Sequence, residues 1–256
     1  MKKNFNFLTL LTTAVVTLLF ASCQQSNPLS HDAGATVKTD STSQQVVAAD
    51  TFAPDTPTEA AMRAMGLVDI QEVDPSIKVE LKYATADNFT HEVLYTDIHK
   101  AFALPEVAEN VKRAQKQLKA VNPEYSLLIY DAARPLSVQY KMWDVAQKTN
   151  TTYYVGDPTK RNGMHNFAAA VDATIIDGHG NPISMGTPFD WFGVEAHITN
   201  EEELVKKGAI SQQELDNRLL LRKVMTDNGM LTIRSEWWHF EYMHPAEARE
   251  KLTIVE

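Results

Sequence analysis

Gly163-Met-His165-Asn-Phe-Ala-Ala-Ala-Val-Asp172, and later Ser235-Glu236-Trp-Trp-His239-Phe-Glu-Tyr242, are the two stretches on which the reading of this chain turns. They supply His165, Asp172 and His239 as candidate metal donors, and a second carboxylate, Glu236, three residues before a histidine. Zinc in hydrolytic sites takes three protein ligands of N and O type and leaves the fourth position to water. The metal brings the pKa of that water down to about 7, where a neighbouring carboxylate can take its proton. Ala170 to Ile176 reads as a strand, with His165 in the irregular lead-in, so the turn between them can bring His165 and Asp172 to one ion. Glu236 and His239 differ by three positions and would point to opposite faces of a flat strand, so Glu236 has to lie before the strand proper or at a kink. A histidine beside aromatic residues is as a rule a hydrogen-bonded core residue, and a Glu-x-x-His pair alone is common by chance. The two stretches by themselves make a metal site plausible and no more.

Outward from them, the chain alternates helical and extended patterns. Ile77 to Tyr83 alternates apolar and polar residues, the period of a half-buried strand. Pro105 can open a helix with Val107, Val111, Ala114, Leu118 and Val121 on one stripe. Tyr125 to Asp131 reads as a strand, and a second helix after Pro135 would bury Val138, Met142 and Val145. Asp177 to Pro182 is rich in turn residues. Ser211 with Glu214 three residues on forms a capping-box pattern for a helix running through Leu215, Leu219 and Val224 to Gly229. The aromatic run Trp237 to Tyr242 reads as a short strand. Without regular βαβ spacing, the fold class is α+β, a single domain.

The first residues belong to a different kind of signal. Lys2 and Lys3, an apolar run from Phe7 to Phe20, and Ala21-Ser22 before Cys23 describe a secretory signal over residues 1–22. The run is shorter than the roughly 20 residues a membrane-spanning helix needs. Cys23, the single cysteine of the chain, stands where a bacterial lipoprotein carries its lipid, although Phe20 replaces the usual Leu. One cysteine excludes an internal disulfide framework and a thiolate zinc site. Residues 23–58 are rich in Ser, Thr, Gln, Asp, Ala and Pro and read as a tether, leaving residues 59–256 for the catalytic domain. The expected location is therefore outside the cytoplasm, anchored to a membrane of the bacterial envelope and facing the periplasm. The formal charge is −9; removing the signal takes away two lysines and no acid, leaving −11. No basic stripe is present for phosphate, so nucleic acid is not an expected partner.

With these residues in view, the chain resembles the bacterial D-alanyl-D-alanine dipeptidases, including the vancomycin-resistance type. That family carries Ser-x-His-x-x-Gly-x-Ala-x-Asp followed by Glu-x-Trp-His or Glu-Trp-Trp-His. His165, Ala170 and Asp172 match the first motif, and Glu236-Trp-Trp-His239 reproduces the second. The resemblance extends, in the family's order, to Lys82-Tyr-Ala-Thr-Ala-Asp-Asn-Phe89, Asp131-Ala-Ala-Arg-Pro135, Met185-Gly-Thr-Pro-Phe-Asp190 and Asn217-Arg-Leu-Leu-Leu-Arg222. It implies one Zn2+ on His165, Asp172 and His239. It implies Glu236 as the base that activates the hydrolytic water and then protonates the leaving amine. Arg134 would stabilise the oxyanion of the tetrahedral intermediate, and Tyr83 and Asp190 would receive the free amine of the dipeptide. The implied fold is the compact α+β fold of zinc DD-peptidases and the hedgehog signalling domain, with a mainly antiparallel sheet flanked by helices.

Two positions depart from the family pattern: its Ser is Gly163 here and its Gly is Ala168. Losing the hydroxyl removes one substrate hydrogen bond. Ala for Gly costs about 1 kcal/mol or more where φ is positive and little elsewhere. Hydrolysis of D-Ala-D-Ala at the envelope is the expected function. The same chemistry on larger wall peptides, as a D,D-carboxypeptidase or endopeptidase, stays open, as does a lipid-anchored binding module without turnover. A site closed by loops separates the first from the second. Retention of Glu236 and Arg134 argues against the third.

Overall fold

The computed structural model describes residues 53–256. The expected signal, Cys23 and most of the expected tether lie outside the described residues. The packed domain begins ahead of the expected Glu59. Lys100 Nζ donates to Ala53 O and to Asp55, each at 2.7 Å, and Arg63 also binds Asp55. Helix α1 (Pro57–Ala64) opens with a capping box between Thr56 and Glu59. Among the described residues no helix is long and apolar enough to cross a membrane.

A short β1 (Val68–Asp69) leads into the single turn α2 (Ile70–Val73), and then come β2 (Lys78–Val79), β3 (Phe102–Ala103), α3 (Pro105–Val121) and β4 (Ser126–Asp131). Helix α4 (Leu136–Thr149) and strand β5 (Ala170–Ile176) follow, then α5 (Glu201–Lys206), α6 (Gln212–Thr226), β6 (Leu231–Thr232), β7 (His239–Glu241) and α7 (Pro245–Lys251). β1 pairs with β3, and the main sheet has the order β2-β4-β5-β7-β6. Only β2 against β4 is parallel; the remaining pairs are antiparallel. The α+β class and the mainly antiparallel sheet expected from the sequence are what the chain adopts.

One face of the sheet, with Leu127, Ile129, Val171, Ala173 and Ile175, packs into the main core with the α3 stripe Val107, Val111, Ala114 and Leu118. Each such buried valine, leucine or isoleucine side chain contributes about 1.5–3 kcal/mol over an exposed one. The stripe ends at Leu118: Val121, on the last residue of the helix, is 62 % exposed. Leu219 in α6 is also exposed, because Leu215, Arg218, Leu221 and Val224 carry the buried face. In α4 the buried position is Ala146, with Val145 only half covered. The predicted strand from Ile77 shortens to two residues. From Lys82 to Ala84 the chain makes a 3-10 turn, and the Tyr83 carbonyl accepts the N–H groups of Leu94 and Tyr95.

Register places the site. Ile129 pairs with Ala173, but Asp131 pairs with Asp172, so a bulge inserts one residue in β4. Without it Tyr130 would oppose Asp172; with it Asp131 does. Asp172 in turn pairs with His239. Three polar residues on neighbouring strands thus stand side by side at one end of the sheet.

Candidate metal centre

His165 sits on a 3-10 turn, Met164–Phe167, that leads into β5. Its Nδ1 lies 2.7 Å from the Ala132 carbonyl. A carbonyl can only accept, so Nδ1 carries the proton and Nε2 presents a lone pair. His239 has its Nε2 3.3 Å from the Glu241 carboxylate, which leaves Nδ1 as the inward nitrogen. Those inward nitrogens are 3.2 Å apart, and Asp172 Oδ1 lies 3.3 Å from one and 2.9 Å from the other. All three side chains are buried, and their donor atoms lie within 4.8 Å of one another.

This donor set fits a divalent cation. Each histidine donates outward to an oxygen, an arrangement that fixes the tautomer and ring orientation of metal-bound imidazoles. Two lone pairs and a carboxylate then converge on a point where they would repel without positive charge between them. Burial lowers the basicity of His239, but hydrogen bonds to Asp172 and Glu241 outweigh it and raise its pKa well above the usual value. Burial would likewise raise Asp172, yet the two imidazoles hold it well below the ordinary carboxylate range.

Glu236 lies three residues ahead of His239 and outside β7, which begins at His239. The spacing requirement drawn from the sequence is met by this lead-in. Its carboxyl lines the same cavity as the donor cluster and makes no side-chain hydrogen bond among the described residues. Burial, reinforced by Asp172 and Asp190 and opposed by His239 and Arg134, pushes its pKa up to about 8.

Arg134 is held from two sides. Its Nε donates to Asp131 Oδ2 at 3.0 Å, with Nη2 on the same oxygen, and its Nη1 donates to Gln139 Oε1 at 2.8 Å. A guanidinium has five N–H groups, so two remain for a ligand. The fully buried Asp131 also accepts from the Tyr95 hydroxyl at 2.7 Å and from the Ala132 N–H. Arg134 N–H donates to His165 O, and Asn166 Nδ2 donates to Arg134 O, which fastens the arginine beside the histidine. Asp131, Tyr95 and Gln139 were not singled out by sequence reasoning. Asp131 had a signal, three residues before Arg134 in a quoted motif, whereas Gln139 and Tyr95 had none.

Tyr83 and Asp190 meet at the same cavity. The tyrosine hydroxyl lies 3.2 Å from Asp190 Oδ1, and the Phe89 N–H donates to Oδ2 at 3.1 Å. Burial pushes Asp190 up to about 7 against those hydrogen bonds. Asp190 itself has φ 59°, a left-handed conformation that aspartate tolerates better than most residues. Its segment is clamped by α6: Arg218 Nε donates to Met185 O, Arg218 Nη2 to Glu195 O, and Asn217 to Ser184 O.

The two departures from the family pattern have distinct physical weights. Ala168 is fully buried at φ 53°, so it takes the left-handed strain of about 1–2 kcal/mol while its packed methyl returns roughly 0.8. Gly163 has an ordinary backbone, φ −77°, but a Cβ there would come 2.7 Å from Asn166 Oδ1. The serine of the pattern therefore does not fit beside Asn166 as it stands.

The cavity around these groups has a volume of about 320 Å³ and is walled by Tyr83, Phe89, Tyr153, Tyr154 and Phe192 as well as the polar residues. That is near the lower limit for ligand pockets. A buried carboxyl beside two histidines and an aspartate that could hold a cation is an arrangement metal-dependent hydrolases use. A family model described as D-ala-D-ala dipeptidase, of the M15 peptidases, matches residues 63–254. The D-alanyl-D-alanine dipeptidase of Escherichia coli K12 is 35 % identical over 179 residues, covering 68 % of this chain and 83 % of that protein. Proteins of the same name from Enterococcus faecalis V583 and Enterococcus faecium are 29 % and 28 % identical, each alignment covering 69 % of this chain and 91 % of the relative. The chain belongs to the D-Ala-D-Ala dipeptidase family of metal-dependent peptidases.

Proposed function

We propose that the protein hydrolyses the D-Ala-D-Ala dipeptide with one Zn2+ held by His165, Asp172 and His239. The observation that carries this reading is the convergence of two outward-tethered imidazoles and a carboxylate in a small cavity that also contains Glu236, Arg134 and the Tyr83–Asp190 pair. A zinc ion there would polarise the scissile carbonyl and make water acidic enough to attack near neutral pH. Glu236 takes the proton of the attacking water and delivers it to the leaving nitrogen. Its raised affinity for a proton suits the second half of that cycle. Arg134 turns its two remaining N–H groups to the oxyanion, its orientation set beforehand by Asp131 and Gln139. Asp190 and Tyr83 take the free ammonium of the substrate, which supplies the positive charge that a buried carboxylate lacks. The cavity volume favours a dipeptide over a wall peptide.

The test is release of D-alanine from D-Ala-D-Ala by the zinc-loaded protein, with Glu236→Ala as control. No D-alanine from the wild type would sink the substrate assignment, and equal release by both would sink the base. Zinc stoichiometry unchanged in His165→Ala would refute the donor set.

Export and lipidation at Cys23 belong to the same reading, supported by Lys2-Lys3, the apolar run and the small residues before Cys23. An anchored enzyme facing the periplasm fits turnover of wall peptides, since destroying the dipeptide before its incorporation requires the cytoplasm. Cys23→Ala would move the protein from the membrane to the soluble fraction; retention on the membrane would contradict the anchor.

A further inference from the structure

We propose that Gln139 is a positioning residue that ties the Arg134 guanidinium to the outer wall of the cavity, so that one buried amide sets both. The proposal rests on the oxyanion role given to Arg134 above.

Gln139 lies in the first turn of α4 and is 1 % exposed. Its Oε1 accepts from Arg134 Nη1 at 2.8 Å, and its Nε2 donates to the Gly156 carbonyl at 2.8 Å. Turning the amide over would set N–H groups against a guanidinium and an oxygen against a carbonyl, so the orientation is unique. Being neutral, the amide orients the guanidinium without further cancelling its charge, whereas Asp131 on the other edge already supplies one counter-charge.

Gly156 belongs to the segment 151–163, which leaves α4 at Asn150 in a left-handed cap and returns towards the start of the same helix. This segment carries Tyr153, Tyr154 and Lys160 into the cavity wall. A Cβ on Gly156 would lie 3.1 Å from Gly163 Cα, so the wall meets the lead-in to His165 backbone against backbone, next to the Gln139 contact. On its far side Tyr154 stacks on Phe192, with ring centroids 4.9 Å apart and planes within 2°, and its hydroxyl lies 3.1 Å from His197 Nε2. The wall thus runs from the arginine to the segment that holds Asp190. Loss of the Gln139 amide releases both the free edge of Arg134 and the near end of this wall.

The experiment uses the full chain loaded with zinc, with D-Ala-D-Ala hydrolysis and tryptic cleavage at Lys160 and Arg161 as separate readouts. Gln139→Leu is expected to lower kcat about 10-fold, to raise KM for the dipeptide, and to speed cleavage within 151–163 several-fold. In an Arg134→Ala background the same change should alter kcat less than about twofold yet still speed cleavage. Gln139→Glu keeps an acceptor for Arg134 but faces the Gly156 carbonyl with an oxygen. Its kcat should exceed that of Gln139→Leu while cleavage stays fast, and it covers the case in which the leucine variant does not fold. An equal loss of kcat in both backgrounds would overturn the coupling in favour of a merely structural role. Cleavage at the wild-type rate in both Gln139 variants would overturn the link to the wall. Undiminished kcat in Arg134→Ala would instead defeat the oxyanion assignment itself, and with it the kcat half of the proposal.

Discussion

The Tyr83 hydroxyl lies 3.2 Å from Asp190 Oδ1 across 107 residues of chain, and the two side chains close one side of the cavity that holds the donor cluster. Asp190→Asn removes the charge an incoming ammonium would meet while keeping the hydrogen-bond geometry. It is expected to raise KM for D-Ala-D-Ala about 10- to 100-fold with a smaller change in kcat. Steady-state kinetics decide it; a kcat loss at constant KM would remove Asp190 from substrate binding.

Glu241 orients His239 from behind by accepting from Nε2. Glu241→Gln weakens that acceptor without touching a donor atom, and zinc affinity should fall about 10-fold or more. Competition with a chromophoric chelator measures it, and unchanged affinity would show that the carboxylate has no hold on the imidazole.

Gly163→Ser should destabilise the protein by about 1–3 kcal/mol, because Asn166 Oδ1 occupies the space the new Cβ needs. Pairing it with Asn166→Ser opens that space but gives up the bond to Arg134 O, so the double variant should lose less than the two single variants combined. Urea unfolding of these variants separates this from a backbone effect: if Gly163→Ser alone is as stable as wild type, Asn166 moves freely.

Asp69 caps α2 through Oδ1, but its other oxygen is buried without a hydrogen-bond partner among the described residues. Burial, helped by Glu72 and opposed by the Gln71 N–H, Lys100 and Arg63, raises its pKa to about 6. A carboxyl whose folded pKa is raised favours the folded state only while protonated. Its contribution is complete below the unfolded value near 4 and is lost as pH climbs through 6. Asp69→Asn keeps the cap and removes the charge. It should raise Tm at pH 7.5, by an amount corresponding to about 1 kcal/mol or more, and leave Tm at pH 3.5 unchanged. A gain of equal size at both pH values would place the effect elsewhere than in ionisation.

Arg218 grips both ends of the Asp190 segment through carbonyl oxygens at residues 185 and 195. Lysine cannot reach two carbonyls in that forked geometry. Arg218→Lys should cost roughly 2 kcal/mol in stability and raise KM for the dipeptide, as melting and kinetics together would show. A stability loss with KM intact would confine Arg218 to the core.

Much of this was legible in the chain because the informative signals were local. The Ser211–Glu214 capping box and the run from Ala170 to Ile176 are each contained within a few residues, and both came out as read. The members of the cluster that could hold a cation were legible as residue types, since two short motifs carry His165, Asp172 and His239. What the sequence could not supply were pairings between distant segments. The bulge that turns Asp131 towards Asp172 depends on how β4 meets β5, and nothing in Ser126 to Asp131 announces an extra residue. Tyr95 reaches Asp131, and Gln139 reaches Gly156, across loops with no repeating pattern. Ile77 to Tyr83 misled in the other direction: its alternation is real in burial, but most of it lies outside the two-residue strand.

Because Asp172 faces His239 directly across β5 and β7, the pairing of the strands and the meeting of these two side chains are one specification. A slip of β7 by a single position would set Phe240 opposite Asp172 and turn the imidazole through to the other side of the sheet. Only the correctly threaded chain brings His239 to Asp172, so an ion held between them would act as a proofreader of topology, rewarding the native alignment over a register slipped by one residue. A three-residue strand would acquire in this way an anchor point beyond its own backbone hydrogen bonds.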